Sequence, residues 1–205
     1  APLDKYWTPL LCAVVGGHVG CVAALAHTLA AKADSWHSIP PLHLAARWGQ
    51  ADCVAALLAG GADVNEREYD GATPLHTAAQ DGRDACATLL LAAGASVHLV
   101  TAGITPLLIA FHQGHVEIVQ LLSSYGASRE SLPPTEDMRL VHPNHAALID
   151  WLALSRHWTP LHHLEALSSE RARALLRAGA NLHLRPKTDV PSPLERAQQL
   201  LLAES

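Results

Sequence analysis

The chain has 205 residues, of which 49% are apolar and only 16% charged, with a formal net charge of −5. This is apolar mass enough for a substantial core, while the acidic balance argues against a general nucleic-acid or anionic-membrane partner. No apolar run reaches the roughly 20 residues of a membrane-spanning helix. The charge is uneven: residues 1–155 hold 7 Lys+Arg against 14 Asp+Glu, and residues 156–205 hold 7 against 5, a mildly basic end that reads as a solvated face. There is no signal peptide and no initiator Met, as expected of a processed chain or of part of a longer one.

The first predicted helix opens in "WTPLLCA" (Trp7–Ala13), where Thr8 caps free N–H groups and Pro9 takes the first helical position at no loss. "GCVAALAHTLAAKA" (Gly20–Ala33) follows as a second helix and runs twelve residues before its first Lys. A free surface helix carries more charge, so this face is expected to be covered by another protein or by further sequence, unless the source simply favours Ala. The opening word returns as "IPPLHLAA" (Ile39–Ala46), "ATPLHTAA" (Ala72–Ala79), "ITPLLIA" (Ile104–Ala110), "WTPLHHL" (Trp158–Leu164) and, faintly, "PSPLERA" (Pro191–Ala197).

With the residue before the shared Pro as a marker (Thr8, Pro40, Thr73, Thr105, Thr159, Ser192), the intervals are 32, 33, 32, 54 and 33. Gly17, Gly49, Gly82 and Gly114 each lie nine residues past a marker and break the first helix. A Gly-Ala pair closes the second helix at Gly61, Gly94, Gly126 and Gly179, where glycine supplies a left-handed exit. The polar stretch after it, as in Asp63–Asp70, reads as a turn-rich extension.

These three words held in register resemble the ankyrin repeat, whose signature is T-P-L-H-x-A at a 33-residue period, and the resemblance covers nearly the whole chain. It implies an all-α ankyrin-repeat solenoid: an L-shaped stack of antiparallel helix pairs with short β-turn fingers, in which no repeat folds without its neighbours. The expected organisation is a single domain, 1–205, with repeats at 4–35, 36–68, 69–100, 101–130, 131–155 and 156–187 and a half-repeat cap at 188–205. The 54-residue interval is expected to hide one degenerate repeat near residues 132–155, because "NHAALIDWLA" (Asn144–Ala153) aligns without gaps on "GHVEIVQLLS" (Gly114–Ser123). Its first helix would be eroded to about Thr135–His142; the alternative is an inserted loop plus helix.

The fourteen histidines suggest metal, but register accounts for most of them. His43, His76 and His162 sit three past their markers, at the family's structural histidine; His163 falls at a variable position. Adjacent His162 and His163 diverge by about 100° on a helix and do not chelate together. Cys21, Cys53 and Cys86 share one register and read as core thiols too far apart for disulfides, which suits an intracellular, reducing compartment, cytoplasmic or nuclear by default. No nucleophile elbow, phosphate loop, HExxH or CxxC occurs, so no enzyme, cofactor or metal is expected. Asn65 occupies the place where ankyrin repeats can be substrates of an asparaginyl hydroxylase, although an ordinary turn asparagine explains it as well.

The resemblance places protein partners in the groove of fingers and first helices. The positions it exposes there are Trp7, Trp36, His37, Ile39, Arg47, Trp48, Tyr69, Asp70, Gln80, Asp81, His112, Gln113, Arg156 and Trp158, with Lys5 beside them. Trp, Tyr and Arg carry most interface energy, so Trp36, Arg47 and Trp48 are the expected anchors. The expected function is a non-catalytic protein-binding module or scaffold; the alternative is a structural subunit of a larger assembly, packed also through its Ala-rich face. Glu165 breaks register, standing where other copies have Val14, Ala46, Ala79 and Phe111, and is expected to meet Arg173 or Arg156 or to face solvent.

Overall fold

In the computed structural model, residues 8–27, 39–129, 132, 146–155, 157–163, 169–185 and 190–203 are described. They are all-α, with one isolated β-bridge, and form two compact units divided between Ile118 and Val119. Among them, no helix is long and apolar enough to cross a membrane.

The first unit alternates two kinds of short helix. First helices open at the repeated word, at Thr-Pro in α1 (Pro9–Val15), α5 (Pro74–Gln80) and α7 (Pro106–Gln113) and at Pro40-Pro41 in α3 (Pro41–Trp48). Second helices are α2 (Val19–Leu25), α4 (Ala51–Ala59) and α6 (Asp84–Ala92); α8 (Val116–Ser124) runs across the division. The first helices pack in sequence, α1 on α3, α3 on α5 and α5 on α7, while α2, α4 and α6 form a parallel second row. Leu10, Val14, Leu42, Ala45, Leu75, Ala78, Leu107 and Phe111 fill the space between, and Ala at the closest approaches lets the backbones pack tightly.

Local geometry follows the repeated words. Thr8 and Thr105 accept from Leu11 N–H and Leu108 N–H at 3.2 Å, the capping expected of Thr before Pro. After each first helix the chain turns back at once. The N–H of His18, Gln50, Arg83 and His115 donates to the carbonyl five residues earlier, at 2.8–3.0 Å. That turn needs a left-handed residue, and Gly49 (φ 70°) and Gly82 (φ 66°) provide it. Glycine is required at Gly82 for space as well, since a Cβ there would lie 2.6 Å from the His115 ring. Between second helix and next marker the chain makes the expected finger, closed by Glu68 N–H to Ala72 O at 2.9 Å in one copy and by the Thr101–Ile104 bridge in the next.

Two kinds of polar tie join neighbouring repeats. At the first, Thr73 N–H and hydroxyl both donate to His76 Nδ1, at 3.2 and 2.8 Å, which leaves Nε2–H to donate to Ile104 O of the next finger at 3.3 Å. At the second, Arg83 Nε donates to Arg47 O at 3.1 Å, and His115 Nε2 to Gln80 O at 3.2 Å. Both carbonyls lie in the last turn of a first helix, where no further helical N–H exists to reach them.

The second unit holds the end of α8, α9 (Ala146–Leu154), a 3-10 turn (Pro160–His162), α10 (Ser169–Arg177) and α11 (Pro193–Ala203). The word "WTPLH" folds there as in the first unit: Thr159 N–H and hydroxyl donate to His162 Nδ1 at 3.0 and 2.8 Å, and His162 Nε2 donates to Pro191 O at 3.0 Å. In the last copy Glu195 replaces histidine and makes a capping box, accepting from Ser192 N–H at 2.8 Å while its own N–H donates to Ser192 Oγ at 3.3 Å. The α9 residues Leu148, Ile149 and Leu152 are buried, on the segment aligned with α8. Residues 135–142, where an eroded first helix is expected, and Glu165 lie outside the described residues.

His76→Ala removes one imidazole, strands Thr73 N–H and leaves Ile104 O with Thr101 N–H as its remaining donor. It is expected to lower the stability of the chain by about 1–3 kcal/mol, read as a shift of the urea-unfolding midpoint at unchanged slope.

Candidate protein-binding groove

Among the faces left uncovered in the first unit are the ends of the first helices and the fingertips. Trp48, the last residue of α3, is 55% exposed, and Tyr69, at a fingertip, is 90% exposed. Arg47, Asp70, Gln80, His112 and Gln113 are exposed as well, while Ile39 and Asp81 are half-buried. Trp7, Trp36, His37, Arg156 and Lys5 lie outside the described residues. The expected surface is therefore described around its middle, on α3, α5, α7 and the fingers that precede α5 and α7.

The fingers are locked to one another by main-chain contacts. Arg67 NH1 donates to Gly71 O at 3.4 Å and to Val100 O of the next finger at 3.3 Å. Thr101 Oγ1 donates to Asp70 O at 2.7 Å. Asn65 lies on the same seam, its side-chain oxygen accepting from Ser96 N–H of the following repeat at 2.9 Å, so this amide already has a structural task.

Finger and helix meet at His43, which departs from the His76 pattern. Its marker is Pro40, which has neither hydroxyl nor N–H to hold the ring. His43 Nε2 instead donates to Glu66 O at 3.0 Å, and Nδ1 faces Glu68 Oε1 at 3.1 Å and Thr77 Oγ1 at 3.4 Å. Arg47 stands 3.9 Å from the same carboxylate oxygen. Neither contact is an aligned hydrogen bond, so Oε1 of the Glu68 side chain, 9% exposed, is buried without one. Glu66, close by, has its carboxyl raised above the usual carboxylate range by burial, against a smaller opposite pull from His43.

Trp158 is placed differently from Trp48. It is half-buried in a cluster of the second unit, with the Arg196 guanidinium 3.8 Å above its ring centre and Trp151 edge-on at 6.2 Å. Much of its surface is thus engaged within the chain. The same cluster corrects the reading of His163 as an ordinary variable position: it is 2% exposed, between Trp151 and Trp158 with ring centres 5.4 Å from each. Arg129 NH2 approaches His163 Nε2 at 3.4 Å, and its NH1 donates to Ser155 O and Oγ, both at 2.9 Å. Burial lowers Arg129 to about 10. Burial, then the Arg129 charge, push His163 down to about 3, so its imidazole is neutral. With Nε2 facing a donor, the ring proton sits on Nδ1, which finds no acceptor. The sequence carried one signal of this packing, the adjacency of His163 to the structural His162.

The cysteines also divide. Cys53 and Cys86 are buried, and burial raises both thiols, Cys86 to about 11. Cys21 is exposed, contrary to its reading as a core thiol. It shares a register with the other two, but no described helix pair precedes α1 and α2 to cover it. Among the described residues no group of three or more His, Cys, Asp or Glu is placed to hold a metal ion.

Comparison with known proteins places the chain among repeats of this kind. The family model described as ankyrin repeats (3 copies) matches residues 2–68 and 42–131. Human ankyrin repeat domain-containing protein 35 is 44% identical over 70 residues, which are 33% of this chain and 7% of that protein. The match thus spans a small part of that relative's length.

His163 has a pH consequence. Its folded value lies below the unfolded value of about 6.5, so the unfolded chain takes up a proton that the folded one refuses. The stability His163 contributes is complete above about 6.5 and is lost as pH falls toward about 3. His163→Leu is expected to flatten the acid side of the stability profile, checked by melting curves across that range, with the His163 ring signal in the wild type keeping its neutral shift below pH 6.

Proposed function

Because the chain belongs to the ankyrin-repeat family, whose members are generally protein–protein interaction modules, we propose that it is a non-catalytic module that binds a protein partner through its fingers and first helices. The observation that carries this reading is the pair of exposed rings, Trp48 and Tyr69, on a frame otherwise packed and hydrogen-bonded. Large aromatic side chains left in water on a rigid support supply contact area at small cost in ordering, which is what an interface anchor requires. Arg47, Asp70, Gln80, Asp81, His112 and Gln113 form the polar surround. Trp7, Trp36, His37 and Arg156 extend the proposed surface by register alone. Buried, unpaired Cys53 and Cys86 support a reducing compartment.

A second reading, a subunit built into a larger assembly, draws on a different face. Val19, Gly20, Cys21, Ala23 and Ala24 of α2 are exposed and uncharged. Burial of this face in an assembly would leave the isolated chain prone to self-association, whereas a free module stays monomeric as concentration rises.

The groove is tested by affinity capture from a cell extract with the wild-type chain and with Trp48→Ala/Tyr69→Ala. Both side chains are exposed, so the variant is expected to melt as the wild type does. Partner recovery should fall at least about tenfold, the size of loss typical of interface anchors. Equal recovery of the same partners by both proteins would sink the groove and leave the assembly reading.

A further inference from the structure

We infer that the middle of this groove takes a basic partner segment, with Arg or Lys side chains seated on the exposed rings of Tyr69 and Trp48, each ring taking its own. The inference rests on the groove reading and adds the chemistry of its occupant.

The first support is the rings. Trp48 ends α3 and Tyr69 tips the following finger, and the approach of Arg47 to Glu68 brings their two elements together. Neither ring is engaged with another ring or a guanidinium among the described residues. Elsewhere this chain satisfies its aromatic faces with cations: Arg196 lies over Trp158, Arg129 over Trp151 and Arg171 over Tyr125, at 3.8–5.1 Å. The exposed pair lacks that cation, and an aromatic face attracts one electrostatically.

The second support is charge. Through Ile118 the sequence has 5 Lys+Arg against 10 Asp+Glu, and from Val119 onward 9 against 9, so the whole acidic excess of the chain belongs to the first unit. The finger 63–70 alone carries Asp63, Glu66, Glu68 and Asp70 against Arg67. The cations nearby are already committed. Arg67 is bound to the Gly71 and Val100 carbonyls, Arg83 to the Arg47 carbonyl, and Arg47 leans toward Glu68. Asp70 uses one oxygen on Ala72 N–H, and neither it nor Asp81 forms an ion pair among the described residues.

The third support is the floor between α3 and the fingertip. Glu68 Oε1 is buried and has no hydrogen bond, with Arg47 too distant at 3.9 Å to give one. The Arg47 side chain is 44% exposed, and a partner guanidinium or ammonium group taking its place would meet a charged acceptor. An acidic segment would meet Asp70, Asp81 and Glu68 instead, and like charges at an interface are rejected.

The test uses the full chain and three dye-labelled peptide pools of equal length: one rich in Arg and Lys, one uncharged, one rich in Asp and Glu. Fluorescence anisotropy is expected to show the basic pool binding tightest, and more weakly as salt is raised. Tyr69→Ala and Asp70→Asn/Asp81→Asn should each weaken that binding at least about fivefold while leaving the melting temperature unchanged. No binding, equal binding of the three pools, preference for the acidic or uncharged pool, or basic binding indifferent to both variants would each overturn the inference. An uncharged pool that binds best and is lost in Tyr69→Ala would remove the basic occupant and keep the groove. Binding that ignores Tyr69→Ala, together with undiminished capture by Trp48→Ala/Tyr69→Ala, would remove both.

Discussion

Every helix among the described residues is too short to stand alone. The helices of the first unit run seven to nine residues, and an α-helix leaves four N–H groups and four carbonyls unpaired at its ends whatever its length. A seven-residue helix therefore has nearly as many orphan groups as satisfied ones, and isolated helices shorter than about 12–15 residues are marginal in water. The structure answers this with neighbours. Thr caps the start, a left-handed glycine returns the chain to carbonyls near the end, and the next repeat sends an Arg83 or His115 side chain to a carbonyl of the last turn.

The same economy places the groove. Once second helices pack in one row and first helices in another, the last turn of the first helices and the tips of the fingers are left open. Two successive fingers are tied together by Arg67 to Val100 O, Thr101 to Asp70 O and Ser96 N–H to Asn65, each bond using a main-chain atom on one side. A binding surface held this way loses little freedom when a partner arrives. Side chains at its variable positions are at liberty to differ because none of these ties depends on them.

The histidines show how one word can have more than one outcome. In His76 and His162 the Thr cap fixes the ring, and Nε2 reaches the next finger. In His43 the cap is Pro40, and the ring turns to Glu66 and Glu68 instead, which draws a carboxylate to the edge of the groove. His163, one residue beyond the repeated geometry of His162, is enclosed by two tryptophans and an arginine and held neutral. A histidine count invites metal chemistry; the ring partners give these four mechanical work.

Register was written in the sequence and survives unchanged. Thr-Pro starts, the glycines nine residues on, the Gly-Ala exits and the structural histidine all depend on local sterics and on hydrogen bonds within a few residues or to the adjoining repeat. Local chemistry at a fixed period was therefore enough to specify the all-α repeat fold and to mark Trp48 and Tyr69 as exposed. Burial is another matter, because it depends on what lies against a position. Cys21 and Cys53 share a register, yet Cys21 is open where no described helix pair precedes it and Cys53 is enclosed. Trp48 and Trp158 both looked available, yet only Trp158 has an arginine across its ring, and that arginine, Arg196, stands 38 residues further along the chain. Contacts at such separation leave no trace in a periodic pattern. The tertiary structure alone decided which repeated positions are covered.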